Sequence, residues 1–314
     1  MIWTGVPTAV GDLRALIHVP DRPGPLPGVV LVDGSGDGAA DDWGEWPDRL
    51  MGQGAVVLTH DKPGCGGSPG HWTDQSLTDR ASETLAAVEV LRADPSVSGQ
   101  PVGLFGGSQG GWVSLLAAAL RPEAVDFVIS LSGPGVSPAV QERARIEADL
   151  RAEGTAPAAL AEALAWLDER TRRLIAGEPV EVVLADQERL ADRSWYPTST
   201  RYFDDPVTLA FLARILPFDP ATILPDLRCP VLALFGAADT MVPVRQSVVA
   251  FAAGLPDLPG DPHGIAVFPG ADHGLFTADP DPDTPRTDQL AAGFLPMVGG
   301  FLARAVERHR QLVS

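Results

Sequence analysis

The sequence predicts an α/β protein whose mostly parallel central sheet is flanked by helices. Short apolar runs rich in β-branched residues recur along the chain, and glycine, proline or aspartate bounds each of them. The runs are continuously apolar rather than alternating, which is typical of strands buried on both faces. Helical stretches between the runs are suited to the crossover connections of a parallel sheet. These two observations define the predicted fold class.

Six runs are predicted to be strands, and they comprise residues 28–32, 55–59, 102–105, 127–131, 231–235 and 265–268. The stretches 77–91 and 110–120 are predicted to be crossover helices between them. A proline-rich stretch near residue 280 is predicted to form a solvated loop before a C-terminal helix. The chain therefore alternates strands and helices in the manner of an open α/β sheet.

The composition changes between residues 137 and 214, where strand signals are few and Ala, Glu, Arg and Leu predominate. Apolar residues at helical spacing form one stripe, which we expect to pack against the core; they are Leu160, Leu164, Leu167 and Leu174. The sequence thus predicts a core made of residues 1–136 and 215–314, with residues 137–214 inserted as a helical cap.

The 314-residue chain has a formal net charge of -18, which disfavours nucleic acid and anionic membranes as partners. Its two cysteines, Cys65 and Cys229, have a spacing that fits neither a zinc site nor a disulfide scaffold. The N-terminus lacks a signal-peptide pattern, and no apolar run is long enough to span a bilayer. We therefore expect a cytoplasmic protein without a metal site, and a homodimer stays open as its assembly state.

The stretch VGLFGGSQGGW, residues 102–112, contains a candidate nucleophile. Gly106, Ser108 and Gly110 match the pattern G-x-S-x-G, with a predicted strand before it and a predicted helix after it. The pattern requires a sharp, strained turn that only very small residues on either side of the serine allow. The sequence therefore predicts that Ser108 is exposed at the end of a strand as a catalytic serine.

A serine nucleophile needs a histidine base, and that base needs a carboxylate to orient it. Asp239 in LALFGAADTMVP and His273 in VFPGADHGLF each follow a predicted strand, in the chain order Ser, Asp, His. Loops after the carboxyl ends of parallel strands open on one edge of the sheet. We therefore expect Ser108, Asp239 and His273 to meet there. Asp272 ranks below Asp239 as the acid because neighbouring side chains tend to diverge.

The stretch VLVDGSGDGA, residues 30–39, is open to three interpretations. It fits a dinucleotide-binding turn, the start of a calcium loop, or the glycine-rich oxyanion loop of a serine hydrolase. The calcium interpretation conflicts with Gly44, which stands where a bidentate glutamate is required. The dinucleotide interpretation finds an acidic residue, Asp61, after the next strand, but it leaves the predicted serine, aspartate and histidine unexplained.

Four motifs resemble those of α/β-hydrolases, and more narrowly of bacterial serine esterases in the dienelactone-hydrolase-like and acyl-CoA-thioesterase-like group; they are DGSG at 33–36, DKPGCGGS at 61–68, GGSQGG at 106–111, and GAAD with ADHG. The resemblance implies an α/β-hydrolase fold and an oxyanion hole formed by the backbone N–H groups of Ser35 and Gln109. It implies no cofactor. The family usually has histidine where this chain has Asp33 and Gly107.

The sequence and the resemblance together predict a serine hydrolase that cleaves a small, largely apolar ester, lactone or thioester through an acyl-enzyme. An acyl-CoA thioesterase or an acyltransferase would use the same triad. A non-catalytic ligand-binding member of the fold and a dinucleotide-dependent oxidoreductase are the more distant alternatives. Aromatic residues in SWYPTSTRYF either wall the substrate pocket or pack the cap onto the core; they are Trp195, Tyr196, Tyr202 and Phe203.

Overall fold

A single eight-stranded sheet forms the centre of the computed structural model, which describes residues 1–258 and 263–313. The strand order across the sheet is β1-β2-β4-β3-β5-β6-β7-β8, and the six strands β3 to β8 run parallel. The strands are β1 (Ile2–Thr8), β2 (Gly11–His18), β3 (Gly28–Val32), β4 (Val56–His60), β5 (Val102–Gly107), β6 (Val128–Leu131), β7 (Val231–Gly236) and β8 (Gly264–Phe268). The predicted fold class is confirmed.

The six predicted runs correspond to the six parallel strands. The hairpin of β1 and β2 was not predicted. The two hairpin strands pair antiparallel with each other, and β2 adds antiparallel to β4. They lie at the edge of the sheet, so β1 is largely exposed and β2 begins with exposed positions. Half-exposed strands lack the continuous apolar run that marks a buried parallel strand, and this explains the omission.

Helices cover both faces of the sheet; they are α1 (Trp46–Gly52), α2 (Leu77–Arg92), α3 (Gln109–Leu120), α4 (Pro138–Ala152), α5 (Pro157–Ile175), α6 (Val180–Glu188), α7 (Tyr196–Thr200), α8 (Pro206–Ile215), α9 (Val244–Gly254) and α10 (Phe294–Val313). Strand β3 shows the layering, since Val30 and Val32 pack into one apolar cluster and Val29 and Leu31 into another. Helices α2, α3 and α9 contribute to the first cluster, and α1 and α10 to the second.

Local sequence explains where the crossover helices begin. Ser76 precedes α2 and accepts a hydrogen bond from the backbone N–H of Asp79, whose carboxylate accepts one from the Ser76 N–H in return. This reciprocal capping box satisfies two backbone donors that the first turn of a helix leaves free. Asp205 caps α8 in a similar way, through the N–H groups of Val207 and Thr208.

Five helices, α4 to α8, lie between β6 and β7. Helices α4 and α5 form a small apolar cluster with Trp195, whereas α6 and α8 pack into the larger cluster of the sheet. Leu160 and Leu167 pack there, Leu164 packs against its margin, and Leu174 joins the larger cluster of the sheet. The expectation that the whole leucine stripe packs against the core is therefore wrong for most of its length. The stripe packs α5 against α4 and Trp195, and only its last residue joins the cluster over the sheet.

None of the helices within the described residues is both long and apolar enough to cross a bilayer.

Removal of the Phe127 ring should destabilise the fold strongly. The ring is fully buried and packs edge-on against Phe301 of α10, with 6.1 Å between centroids. We expect Phe127→Ala to lower the free energy of unfolding by about 3–5 kcal/mol in urea denaturation, because it leaves a cavity between sheet and helix. Val249→Ala, at a position 62% exposed, is the control and should change it by less than about 0.5 kcal/mol. Equal effects would contradict the assigned core.

Candidate active site

Ser108 lies on a strained turn between β5 and α3. Its backbone angles are φ 53° and ψ −121°, which an L-residue adopts only when the surrounding structure enforces them. Hydrogen bonds on both sides hold the turn: the Ser108 N–H donates to the Leu131 carbonyl at 2.9 Å, and its own carbonyl accepts from the Gly111 N–H at 2.9 Å. The turn therefore presents the serine side chain at the carboxyl edge of the sheet.

Crowding explains the glycines that flank this serine. A Cβ on Gly106 would lie 2.1 Å from the Gly110 carbonyl oxygen, and a Cβ on Gly110 would lie 2.0 Å from the Val32 carbonyl oxygen. Both obstacles are backbone atoms, so no side chain can move aside. Gly107 differs, because a Cβ there meets no atom within 4 Å. The turn thus requires glycine at two of these positions and only tolerates it at the third.

His273 and Asp239 form a hydrogen-bonded pair. The His273 Nδ1 lies 2.8 Å from the Asp239 Oδ2, and the carboxylate side chain is fully buried. The other carboxylate oxygen accepts from the N–H groups of Met241 at 2.8 Å and Val242 at 3.1 Å. These bonds compensate for burial of the charge and fix the orientation of the ring. The remaining ring nitrogen, Nε2, is left for a reacting group.

Asp272, the lower-ranked acid, has a different task. One oxygen accepts from the N–H groups of Gly274 at 2.9 Å and Phe276 at 3.0 Å, and the other pairs with Arg286. It therefore shapes the turn that carries the neighbouring His273.

Two cavities meet at the predicted serine and histidine. Ser108, His273 and Gly34 line both of them. The larger has a volume of about 550 Å³ and extends beneath the inserted helices, with mostly apolar walls; its lining includes Trp72, Trp112, Phe211, Leu212 and Ile215. The smaller has a volume of about 330 Å³; its lining includes Trp43, Trp46, Phe105, Phe276, Asp37 and Asp42. A group bound at Ser108 would have space on two sides.

The predicted oxyanion donors also face the larger cavity. Ser35 and Gln109 both line it, and among the described residues neither backbone N–H donates to a protein acceptor. The loop of Ser35 comes close to the nucleophile, since a Cβ on Gly34 would lie 3.4 Å from the Ser108 Cβ. Geometry of this kind leaves two free donors beside the serine, as an oxyanion hole requires.

Two buried cations beside this loop escaped the sequence analysis. The Lys62 ammonium donates to the Gly34 carbonyl at 2.6 Å and to the Gly36 carbonyl, and it lies 3.3 Å from the Asp33 carboxylate. Arg80 donates to the Asp33 carbonyl at 2.8 Å, to the Gly34 carbonyl at 3.2 Å and to the Gln109 side chain at 2.7 Å. The sequence contains one feature that could have drawn attention to Lys62, which is the single lysine among 23 lysine and arginine residues.

Burial perturbs the ionisation of the groups around these cations. It lowers the pKa of Lys62 to about 8, with repulsion from Arg80 adding to the effect and Asp33 opposing it. Burial raises the pKa of the nearby Glu83 to about 7, against the hydrogen bond from Gln75 and the attraction of Arg80. Burial likewise lowers the pKa of His60. Lys62, which contacts the loop, therefore changes charge at mildly alkaline pH.

The four aromatic residues of the insertion divide into two pairs. Tyr202 and Phe203 line the larger cavity. Trp195 is 1% exposed in the apolar cluster of the inserted helices, where its Nε1–H donates to Glu162 at 3.0 Å, and Tyr196 packs against that cluster. Neither lines the two cavities. Of the two interpretations, a pocket wall therefore fits Tyr202 and Phe203, and packing fits Trp195 and Tyr196, although within the insertion rather than onto the core. The short helix α7, which begins at Tyr196, separates this pair from Tyr202 and Phe203 along the chain.

Asp61 is also placed differently from the dinucleotide interpretation. Its carboxylate is fully buried and accepts from the Ala40 N–H at 2.6 Å and from the Ser68 hydroxyl at 2.7 Å. Both oxygens are therefore used within the protein, and neither is available to a ribose.

A family model described as "Alpha/beta hydrolase family" matches residues 26–283. Acyl-coenzyme A thioesterase 2, mitochondrial, from Mus musculus is 31% identical over 120 residues. That match covers 36% of this chain and 24% of the relative, so the chain spans about a quarter of that protein's length.

Solved structures share the fold at low identity. The 2,6-dihydroxy-pseudo-oxynicotine hydrolase has a TM-score of 0.61 at 17% identity, over 97% of this chain and 68% of that one. Est1E from Butyrivibrio proteoclasticus, solved with ferulic acid bound, has a TM-score of 0.56 at 16% identity, over 98% of this chain and 99% of that one.

Substitutions at two glycines of the turn should show that a clash with backbone atoms, and not mere closeness to Ser108, makes glycine necessary. We expect Gly110→Ala to lower the free energy of unfolding by about 1–3 kcal/mol, because its Cβ is forced against the Val32 carbonyl. Gly107→Ala adds the same methyl group next to Ser108 but into open space, so it should change stability by less than about 0.5 kcal/mol. Urea denaturation measures both, and a tolerated Gly110→Ala would refute the steric account.

Proposed function

Because this chain belongs to the alpha/beta hydrolase family, we propose that it is a serine hydrolase that cleaves a carboxylic ester, lactone or thioester of a small, largely apolar substrate. One observation carries the proposal: Ser108 on its strained turn and His273 paired with Asp239 open onto the same two cavities. A nucleophile, an oriented base and free backbone donors beside one space are the parts that acyl transfer needs.

The reaction begins when His273 Nε2 takes the proton of the Ser108 hydroxyl and the serine oxygen attacks the substrate carbonyl carbon. The N–H groups of Ser35 and Gln109 hold the oxyanion, and Asp239 stabilises the imidazolium that forms. His273 then protonates the leaving alcohol or thiol, which departs as its bond to the acyl carbon breaks. Water, deprotonated by His273, releases the acid and restores Ser108.

We propose that each half of the substrate occupies one of the two cavities. The larger, with Trp112, Phe211 and Leu212 on its walls, accommodates the bulkier apolar half, and the smaller accommodates the other half beside Trp46 and Phe276. The aromatic and aliphatic side chains on these walls favour a substrate bound mainly by burial of hydrocarbon surface.

A thioesterase is the second candidate, since the Mus musculus relative bears that name. The acidic lining of the smaller cavity bears on which thioester is accepted. Asp33, Asp37 and Asp42 lie along it, in a protein of net charge -18, and this field repels the phosphates of coenzyme A. We therefore propose that neutral thioesters are accepted and coenzyme A thioesters are poor substrates.

Removal of the nucleophile should abolish hydrolysis of p-nitrophenyl butyrate. We expect Ser108→Ala to lower kcat/KM by at least about 10⁴-fold and Asp239→Asn by about 10³–10⁴-fold, the latter because the ring loses its orienting acceptor. Ser35→Ala is the matched control and should stay within about threefold of the wild type, since its backbone N–H is kept. If Ser108→Ala hydrolysed the ester at the wild-type rate, the triad would be wrong.

The nature of the leaving group should decide between the two candidate functions. We expect kcat/KM for butyryl-coenzyme A to be at least about tenfold below that for S-ethyl thiobutyrate at low salt, and the gap to narrow as salt screens the acidic cavity. Steady-state rates between about 20 and 300 mM NaCl measure this. A coenzyme A thioester that is the faster substrate at every salt concentration would favour the thioesterase.

A further inference from the structure

The loop that carries Ser35 turns its carbonyl oxygens toward Lys62 and Arg80. Three backbone carbonyls of this loop are involved, since the cations contact those of Asp33, Gly34 and Gly36. Both side chains are buried, Lys62 to 2% exposure and Arg80 to 4%. Hydrogen bonds from charged donors in such surroundings are stronger than neutral ones. The loop is therefore held by its carbonyls.

We propose that Lys62 and Arg80 are positioning residues that set the oxyanion hole by fixing these carbonyls, an inference that rests on the proposed serine hydrolase function. The Gly34 carbonyl and the Ser35 N–H belong to one peptide unit, which is planar, and in the trans form its C=O and N–H bonds point in opposite directions. Two cations on the Gly34 oxygen therefore turn the Ser35 N–H away from them, toward the cavity that Ser35 lines.

Asp33 completes the arrangement at the position where related hydrolases usually have histidine. Its Oδ1 accepts from the Gly34 N–H at 2.7 Å, and its Oδ2 pairs with Lys62. The Gly34 N–H is thereby occupied, whereas the Ser35 N–H stays available. One carboxylate thus selects which donor of the loop serves the oxyanion.

Arg80 links this loop to the second donor. The same guanidinium that contacts the Asp33 and Gly34 carbonyls donates to the Gln109 Oε1 at 2.7 Å. Gln109 begins α3 directly after Ser108, so its side chain anchors the first turn of that helix to the loop. The two donors come from segments more than 70 residues apart, and Arg80 ties them into one frame.

The choice of lysine at residue 62 has a geometric reason. Its ammonium meets two carbonyl oxygens and a carboxylate that converge from one short loop, and a compact charge with three donors suits that arrangement. A planar guanidinium spreads its donors over a wider fork. All 22 other Lys/Arg positions are arginines.

This arrangement makes activity dependent on the proton of Lys62. Loss of that proton removes one of the three donors and the positive charge that the loop carbonyls face, so kcat falls as pH rises through the Lys62 pKa of about 8. The free energy of unfolding changes in the opposite direction. Folding lowers the Lys62 pKa, so between about pH 8 and 10.5 the unfolded chain binds more protons than the folded one. The contribution of Lys62 to stability therefore rises with pH in this range. Activity therefore declines there without a loss of stability caused by Lys62.

The other groups facing the ammonium or its partners are Asp33, Cys65, Arg80, Glu83 and His60.

The first test compares Lys62→Met, Lys62→Arg and the wild type with p-nitrophenyl butyrate. We expect Lys62→Met to lower kcat about 10²-fold, the effect of losing one oxyanion donor, with KM within about threefold. Lys62→Arg should regain part of kcat and lose the decline above pH 8, because a guanidinium stays charged. The control is Arg92→Met, which loses a similar carbonyl and carboxylate contact elsewhere and should keep full activity.

The second test needs no substitution of Lys62. Since the chain has one lysine, labelling with [13Cε]-lysine places a single reporter at Lys62, and the Ser35 amide is identified in 15N-serine-labelled protein by its absence from Ser35→Ala. We expect both signals to titrate with one midpoint, shared with the alkaline decline of kcat.

The inference is overturned if Lys62→Met, folded as judged by circular dichroism and urea denaturation, keeps kcat within about threefold of the wild type. It is equally overturned if the Ser35 amide does not respond when Lys62 titrates, a result that decides the matter should Lys62→Met fail to fold. A wild type inert toward esters and toward a Ser108-directed phosphonate, with the Ser35 amide still following Lys62, would support the loop arrangement and refute the proposed function instead.

Discussion

The strained turn at Ser108 is the constraint on which the rest of the site depends. A residue held at φ 53° after a buried strand needs neighbours without a Cβ, because the carbonyls of Gly110 and Val32 lie where those atoms would be. The same closeness brings the end of β3 against the start of α3. The loop that follows β3 is thereby placed beside Ser108, so the crowding that strains the turn also positions the proposed oxyanion donors.

The parallel sheet brings the remaining groups to the same edge. Asp239 follows β7 and His273 follows β8, two neighbouring strands whose carboxyl ends lie side by side. Burying the Asp239 carboxylate would be costly without partners, and two backbone N–H groups and the imidazole compensate for that cost. Rigid elements therefore determine the spacing of the pair, and the short loops only complete its hydrogen bonds.

The buried cations beside the cavities contrast with the net negative charge of the molecule. The chain is strongly acidic, yet its buried ionic groups beside the cavities include Lys62, Arg80 and Arg145. Arg145 lines the larger cavity, pairs with Glu142 and Asp149, and lies over the Tyr202 ring. Buried cations of this kind persist because several acceptors surround each of them. The net negative charge therefore describes the molecule as a whole and not the groups beside the cavities.

The sequence by itself determined the fold class, the six parallel strands, and candidate residues such as Ser108, Asp239 and His273, because buried strands and a glycine-flanked serine leave local patterns. Whether those three act together stays a prediction. Tertiary structure alone decided that the β1–β2 hairpin closes one edge, that Trp195 packs inside the insertion while Phe203 lines a cavity, and that Lys62 and Arg80 contact the carbonyls of the loop after β3. Each of these depends on contacts between residues far apart in the chain, and such contacts leave no local periodicity to read.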